Sequence, residues 1–262
     1  MTALALAPRS WAGMPRARSP LALLVAVVLL AIAWQIGTIV SDGWVPSLDR
    51  IGAAVVANLT DPAIYGQMAI TARRILIGFV AATAIGVALG FLMGLDRRVE
   101  AFFRPVVTML LAIPDPVYII VAILVLGTDE SSGLIALILA LVPFVVVIVH
   151  GAVRARERQL DEMSRVYKLG RWAYLTEVLG RQIAPALIVA ARTCFAFSWK
   201  IVVLIEALSQ PEGIGSQIYY SFRLLRSADM IALALIFIVL MRIVESVAFG
   251  FAERRLMGWS RR

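Results

Sequence analysis

Apolar residues run along the chain in blocks of about 20 separated by short polar stretches, and a helix needs a block of that length to cross a bilayer. The first block, residues 21–40, follows Arg9, Arg16 and Arg18. It exceeds the roughly 7–15 apolar residues of a signal-peptide core, so it is expected to remain as a transmembrane helix. Residues 42–68 mix short apolar groups with Pro46, Asp49, Arg50, Asp61 and Pro62, which predicts a periplasmic segment carrying an amphipathic helix. Further blocks at 75–95, 105–126, 133–149, 183–208 and 230–251 bring the predicted spans to about six. Pro114-Asp115-Pro116 interrupts the third span, where the helix must kink or break. In the second, Gly78, Ala82, Gly86, Gly90 and Gly94 recur every four residues and form a smooth stripe that another helix can approach closely.

The chain is 61% hydrophobic, 16% charged and has a mean hydropathy of +0.89, which excludes a water-soluble domain. The fold class is all-α and polytopic. The net charge of +8 is carried almost wholly by arginine, since Lys168 and Lys200 are the only lysines. With the N-terminus placed inside, 17 of the 25 Lys and Arg fall on inner segments and 5 on outer ones, which predicts cytoplasmic N- and C-termini. Residues 1–20 are then a cytoplasmic N-terminus, 69–251 a five-helix core containing a cytoplasmic loop at 154–182, and 252–262 a basic cytoplasmic tail. The charge reads as topology and does not call for nucleic acid. Cys194, the one cysteine, cannot form an internal disulfide, and its apolar neighbours predict a packing role. No Cys, His or Glu cluster surrounds His150, so no metal site is predicted.

The long polar block is the distinctive feature. A helix over 160–169 is predicted to end at Gly170 as its C-cap, and a second over 172–181 presents Tyr174, Leu175, Val178 and Leu179 on one side. Such a pair at a membrane surface suits the docking of a soluble partner. The block resembles the EAA loop in permease subunits of binding-protein-dependent ABC importers. There a Glu-Ala-Ala stretch, a glycine six residues on and a later Leu-Pro precede a membrane helix. Gly170 matches the motif glycine, Trp172 the aromatic after it and Pro185 the proline that opens the next span. Ser164, Arg165 and Val166 stand in place of Glu-Ala-Ala, the step from Gly170 to Trp172 is shortened, and Arg181 replaces a proline.

Other segments are similar to the nitrate, sulfonate and taurine branch of those permeases: Arg74-Ile-Leu-Ile-Gly-Phe79, Ile113-Pro-Asp-Pro-Val117, Ala191-Arg192, Trp199 to Glu206, Gly213-Ile-Gly215 and a terminal Glu-Arg-Arg with a tryptophan. The resemblance implies a type I ABC importer permease architecture in the bacterial inner membrane, with a small anion such as a sulfonate, nitrate or related organic acid as cargo. It implies an ATPase-coupling loop made of Ser164, Leu169, Gly170, Trp172, Tyr174, Leu175, Val178 and Pro185. The implied partners are an ABC ATPase dimer, a second permease (identical or not) and an extracytoplasmic substrate-binding protein.

Energy must come from outside the chain, because it has no G-x-x-x-x-G-K-[ST] phosphate loop. ATP and Mg would be bound by the partner ATPase, and the chain itself is expected to be non-catalytic and to hold no cofactor. Charges inside predicted spans cost a few kcal/mol each, so Asp115, Lys200, Arg192 and Glu206 are candidates for the substrate path. Asp115 and Lys200 both lie deep enough to pair, Arg192 can snorkel to the inner surface, and Arg242 with Glu245, spaced i,i+3, suggests a structural pair. The competing reading is an ion-gradient-driven secondary transporter with Asp115 and Lys200 as its coupling pair. The inverted hydropathy repeat that would favour it is missing. A membrane enzyme is disfavoured because no acid, base and nucleophile converge in the polar block.

Overall fold

The computed structural model describes residues 20–41 and 44–256; the predicted cytoplasmic N-terminus falls outside this range except for Pro20, and the predicted basic tail is described as far as 256. The chain forms two compact units, residues 1–50 and 51–262. In the first, α1 (Pro20–Val40) is the predicted apolar helix. The turn after it is held by Trp34 Nε1, which donates to the Pro46 carbonyl at 3.0 Å, and by Ser41 Oγ, which accepts from the Val45 N–H at 3.1 Å.

The second unit takes in most of α2 (Leu48–Thr60) and then the bundle. Asp61 caps α3 (Pro62–Leu95), accepting from the Ala63 N–H at 2.9 Å, with Pro62 in the first turn. Asp61-Pro62 therefore starts a helix where the sequence suggested a break. At 34 residues α3 is about 51 Å long, more than the roughly 30 Å needed to cross the hydrocarbon of a bilayer.

The predicted third span is two helices. Asp96 caps α4 (Arg97–Ala112), and Pro105 lies inside that helix without opening it. The axis then turns by 100° into α5 (Asp115–Leu126). Ile113 is forced into extended backbone by the proline after it, and Pro116 fits the first turn of α5. A kink becomes a corner because two prolines fall at one point.

The centre of the unit is α6 (Glu130–Arg154), whose Val145, Val146, Val149 and Val153 have no exposed surface. It packs most extensively against α3. A Cβ built on Gly78, Gly86, Gly90 or Gly94 would come within 3.0 Å of Leu137, Val145, Val146 or Val153, all on α6, and Ala82 on the same stripe is fully buried. The stripe is therefore what lets α3 and α6 approach closely, and the side chain that each glycine omits is replaced by α6.

After α6 come α7 (Arg158–Val166), α8 (Arg171–Ala173), a π-helical turn (Tyr174–Leu179), α9 (Gly180–Ser209), α10 (Ile214–Arg223) and α11 (Ser227–Leu256). The segment from α8 through α9 runs on as one helix of 39 residues. That helix, α3, α6 and α11 are each long and apolar enough to cross a membrane; the α4–α5 pair makes a fifth crossing if taken as one broken span, and α1 is a shorter apolar helix. No strand occurs among the described residues.

Candidate functional site

The polar block sits at the end of the bundle where α6 finishes and α9 begins. α7 closes in a Schellman motif: the Leu169 N–H reaches the Ser164 carbonyl at 2.9 Å and the Lys168 N–H reaches that of Arg165 at 3.0 Å. The left-handed residue this requires is Lys168, with φ of 50°, and not Gly170. Helix α7 stops at Val166, sooner than the sequence pattern suggested, so its cap falls earlier. Gly170 has φ of −62° and ψ of 153°, backbone open to any residue, and a Cβ there would meet nothing within 4 Å.

The predicted separate second helix is absent, because the chain enters the long helix directly at Arg171. Pro185 lies inside α9 and does not open it. In the π turn the Gly180 N–H bonds the Leu175 carbonyl five residues back, and a Cβ on Gly180 would stand 2.9 Å from that oxygen. The extra residue rotates the helical faces around it. The predicted common face of Tyr174, Leu175, Val178 and Leu179 is present but turned inward: Val178 and Leu179 are buried, and Tyr174 and Leu175 pack against the core.

The residues left outward are others: Val166 is 77% exposed, Tyr167 74% and Trp172 78%, with Leu169 half-exposed beside them. They are carried on a braced frame. Tyr174 Oη donates to Asp161 Oδ1 at 2.8 Å, Arg156 Nε to Asp161 Oδ2 at 3.0 Å, and the Glu157 N–H to Gln182 Oε1 at 2.8 Å. Ser164 is buried, its hydroxyl donating to the Asp161 carbonyl at 2.6 Å. An open cavity of about 600 Å³ lies beside the turn, lined by Arg156, Arg165, Arg171 and Asp161 among others. The arrangement is a rigid knob with apolar tips and a cationic recess.

The charges within the bundle are placed differently from the sequence expectation. No ion pair joins Asp115 to Lys200 among the described residues. Asp115 begins α5, while the exposed Lys200 ammonium lies 5.3 Å from the Phe197 ring centroid and 5.6 Å from that of Trp199. Arg192, expected to snorkel, pairs with Glu245 at 3.2 Å. The predicted i,i+3 pair Arg242–Glu245 forms at 2.8 Å, so buried Glu245 takes two arginines from two helices. Near the loop end, buried Glu100 lies 3.4 Å from His150, 3.6 Å from Arg154 and 3.8 Å from Arg104.

Glu206 is held in a buried polar cluster. It is fully buried at the opposite end of the bundle, where Arg74 Nη1 donates to it at 2.8 Å, Thr71 Oγ1 at 2.9 Å and the Gly215 N–H at 2.9 Å. Arg74 also donates to the Glu212 carbonyl at 2.7 Å and, through Nε, to Glu130 at 3.1 Å. The Thr71 hydroxyl in turn accepts the Ile214 N–H at 2.9 Å. Gly213, at φ of 112°, passes so near the Glu206 carboxylate that no side chain fits there. These bonds clamp α3, α6, α9 and the turn before α10 together. Sequence reasoning missed Thr71, Glu130 and Asp161 as functional supports. The only signals available were the Arg74 and Gly213-Ile-Gly215 segments, which name parts of the clamp without showing that they meet.

A family model described as "Binding-protein-dependent transport system inner membrane component" matches residues 82–256. The nitrate import permease protein NrtB of Synechocystis is 27% identical over 239 residues, covering 87% of this chain and 86% of the relative. The putative aliphatic sulfonates transport permease protein SsuC of Bacillus subtilis is 24% identical over 239 residues, covering 90% and 86%. Among solved structures, a chain of the MetNI methionine ABC transporter in an inward facing conformation is similar with a TM-score of 0.61 at 17% identity, covering 71% of this chain and 92% of that one. At that identity the likeness shows the fold.

Proposed function

The chain belongs to the family of binding-protein-dependent transport system inner membrane components, and we propose that it forms one half of the membrane path of an ATP-driven importer of a small anion, coupled to a separate ATPase through the knob around Trp172. The observation that carries the coupling is the exposure of Val166, Tyr167 and Trp172 on a frame braced through Asp161 by Tyr174 and Arg156. Rigid, exposed aromatic and apolar tips on a well-braced support favour association, because little conformational entropy remains to be lost on docking. The cationic recess beside them suits acidic groups on the partner.

The bias of arginine toward the loop end supports placing that end in the cytoplasm. A second permease, identical or not, completes the path, and an extracytoplasmic binding protein delivers the cargo. Approach of the paired ATPases on binding nucleotide moves the knobs and shifts the bundles between outward- and inward-open arrangements. The cargo class rests on the NrtB and SsuC relatives. The absence of an Asp115–Lys200 pair among the described residues removes the observation that would have favoured a secondary transporter.

Co-purification tests the coupling. Trp172→Glu and Gly170→Asp variants, whose sites have open space around them, should leave the permease folded and lose the ATPase together with ATP-dependent uptake. Full ATPase recovery and wild-type uptake in both would overturn it.

A further inference from the structure

At the clamp end, α10 turns Ile214, Gly215 and Ser221 inward and leaves its opposite face open. Ser216, Tyr219, Tyr220 and Arg223 fall on that face at i, i+3, i+4 and i+7. With Gln217, and with Ala207 and Gln210 from the neighbouring chain segment, they line a cavity of about 370 Å³. Its chemistry is one-sided. The lining contains a guanidinium, two phenols and two amides but no carboxylate, and Glu206, which lies next to Ala207 in the chain, is sealed in the clamp. The side chains of Arg223 and Gln217 and both phenol hydroxyls have no hydrogen-bond or ion-pair partner among the described residues. A guanidinium with all its donors unused is the natural partner of a planar or tetrahedral oxyanion.

A second cation lies on the same track. Ala207 and Lys200 are seven residues apart on α9, hence on one face and about 10 Å apart along the axis. Lys200 is exposed, with only aromatic rings beside its ammonium. A tyrosine and arginine cluster at a membrane boundary can simply anchor a helix at the lipid surface. A lysine two helical turns further in, on the face that continues from the cavity, has no such use and needs a wet surface.

We propose that this cavity is an entry site for a small oxyanion, held by Arg223 with Tyr219 and Tyr220, and that Lys200 is the next cationic station inward. The assignment rests on the small-anion reading above and places the binding chemistry on residues of the permease itself. Two cations spaced along one face let an anion step inward without leaving favourable potential.

The test uses the complete transporter, with its ATPase and binding protein, in right-side-out spheroplasts carrying Ser216→Cys; the native Cys194 is fully buried. The probes are a methanethiosulfonate bearing a sulfonate and its trimethylammonium counterpart. The sulfonate reagent should react faster, Arg223→Gln should cut that preference by at least about threefold, and Arg223→Lys should keep it. Equal rates, a preference indifferent to Arg223→Gln, or no reaction with either reagent, as at a lipid-facing surface, would overturn the site. Uptake of nitrate and ethanesulfonate separates the two readings. If the preference holds but neither anion is imported, the small-anion function fails and the site stands. If either is imported with an unchanged KM in Arg223→Gln, the site fails and the function stands. Loss of binding-protein association in Arg223→Gln, with the labelling preference intact, would reassign Arg223 to docking.

Discussion

Arg74 Nη1 lies 2.8 Å from Glu206 Oε1, and the carboxylate it meets has no surface open to solvent. The two residues are 132 positions apart, so this contact ties together distant parts of the chain. Removing Arg74 leaves Glu206 buried without a counter-charge, and removing Glu206 leaves the buried Arg74 with only the partly exposed Glu130 to pair with. Arg74→Met or Glu206→Leu alone should each destabilise by about 3–5 kcal/mol, and the double substitution should recover a good part of that. Thermal unfolding of the purified permease in detergent, run as a double-mutant cycle, measures it; additive losses would show that the pair does not act as one.

Gly213 belongs to the same unit. Any side chain there meets the Glu206 carboxylate and must hold a left-handed φ. Gly213→Ala should therefore destabilise about as much as the loss of a clamp charge, whereas Gly170→Ala, in open space with ordinary backbone, should leave the melting temperature unchanged.

The α3–α6 contact depends on missing side chains. Gly86→Val would drive two methyl groups into Val145, and overpacking of this kind costs about 1–3 kcal/mol or forces the helices apart. Val145→Ala in the Gly86→Val background should restore part of the stability. If Gly86→Val alone melts like the wild type, the helices do not pack as tightly as described.

Asp161 ties the knob together by accepting from Tyr174 and Arg156. Tyr174→Phe removes one of those bonds without emptying the space, at a cost to stability of about 0.5–1.5 kcal/mol. The permease should still bind its ATPase, but a loosened knob transmits less of the ATPase motion, so transport per ATP hydrolysed should fall. An unchanged ratio in proteoliposomes would place the bond outside coupling.

Glu245 is shared by Arg192 and Arg242. Glu245→Gln leaves two arginines facing a neutral group on adjacent helices, and the α9–α11 contact should weaken, read as faster proteolysis of α11 relative to the wild type. Arg242→Gln, which leaves one arginine on the carboxylate, should have a smaller effect.

Much of this was legible in the order of residues. The apolar blocks mark where helices cross, because hydrocarbon tolerates only long runs of that kind. The four-residue spacing from Gly78 to Gly94 marks a close-packing face, since a helix returns to that face every four residues. The prolines around Asp115 mark a break. Periodicity describes the face of a helix but not what lies opposite it. Nothing local told that the stripe meets α6, that the break would open to 100°, or that Glu206 would be locked by Arg74 and Thr71. The loop end shows the same limit: Tyr174, Leu175, Val178 and Leu179 share a face as their spacing suggests, but that face packs on the core, and Val166, Tyr167 and Trp172 form the outward surface. Hydrophobic transfer depends on each residue's own chemistry and can be read along a chain, so the sequence alone determined that this is a helical membrane protein and roughly where its apolar helices lie. Which faces meet, which charges pair and which apolar side chains remain outside depend on contacts between residues far apart in the chain, and only the tertiary structure decided those.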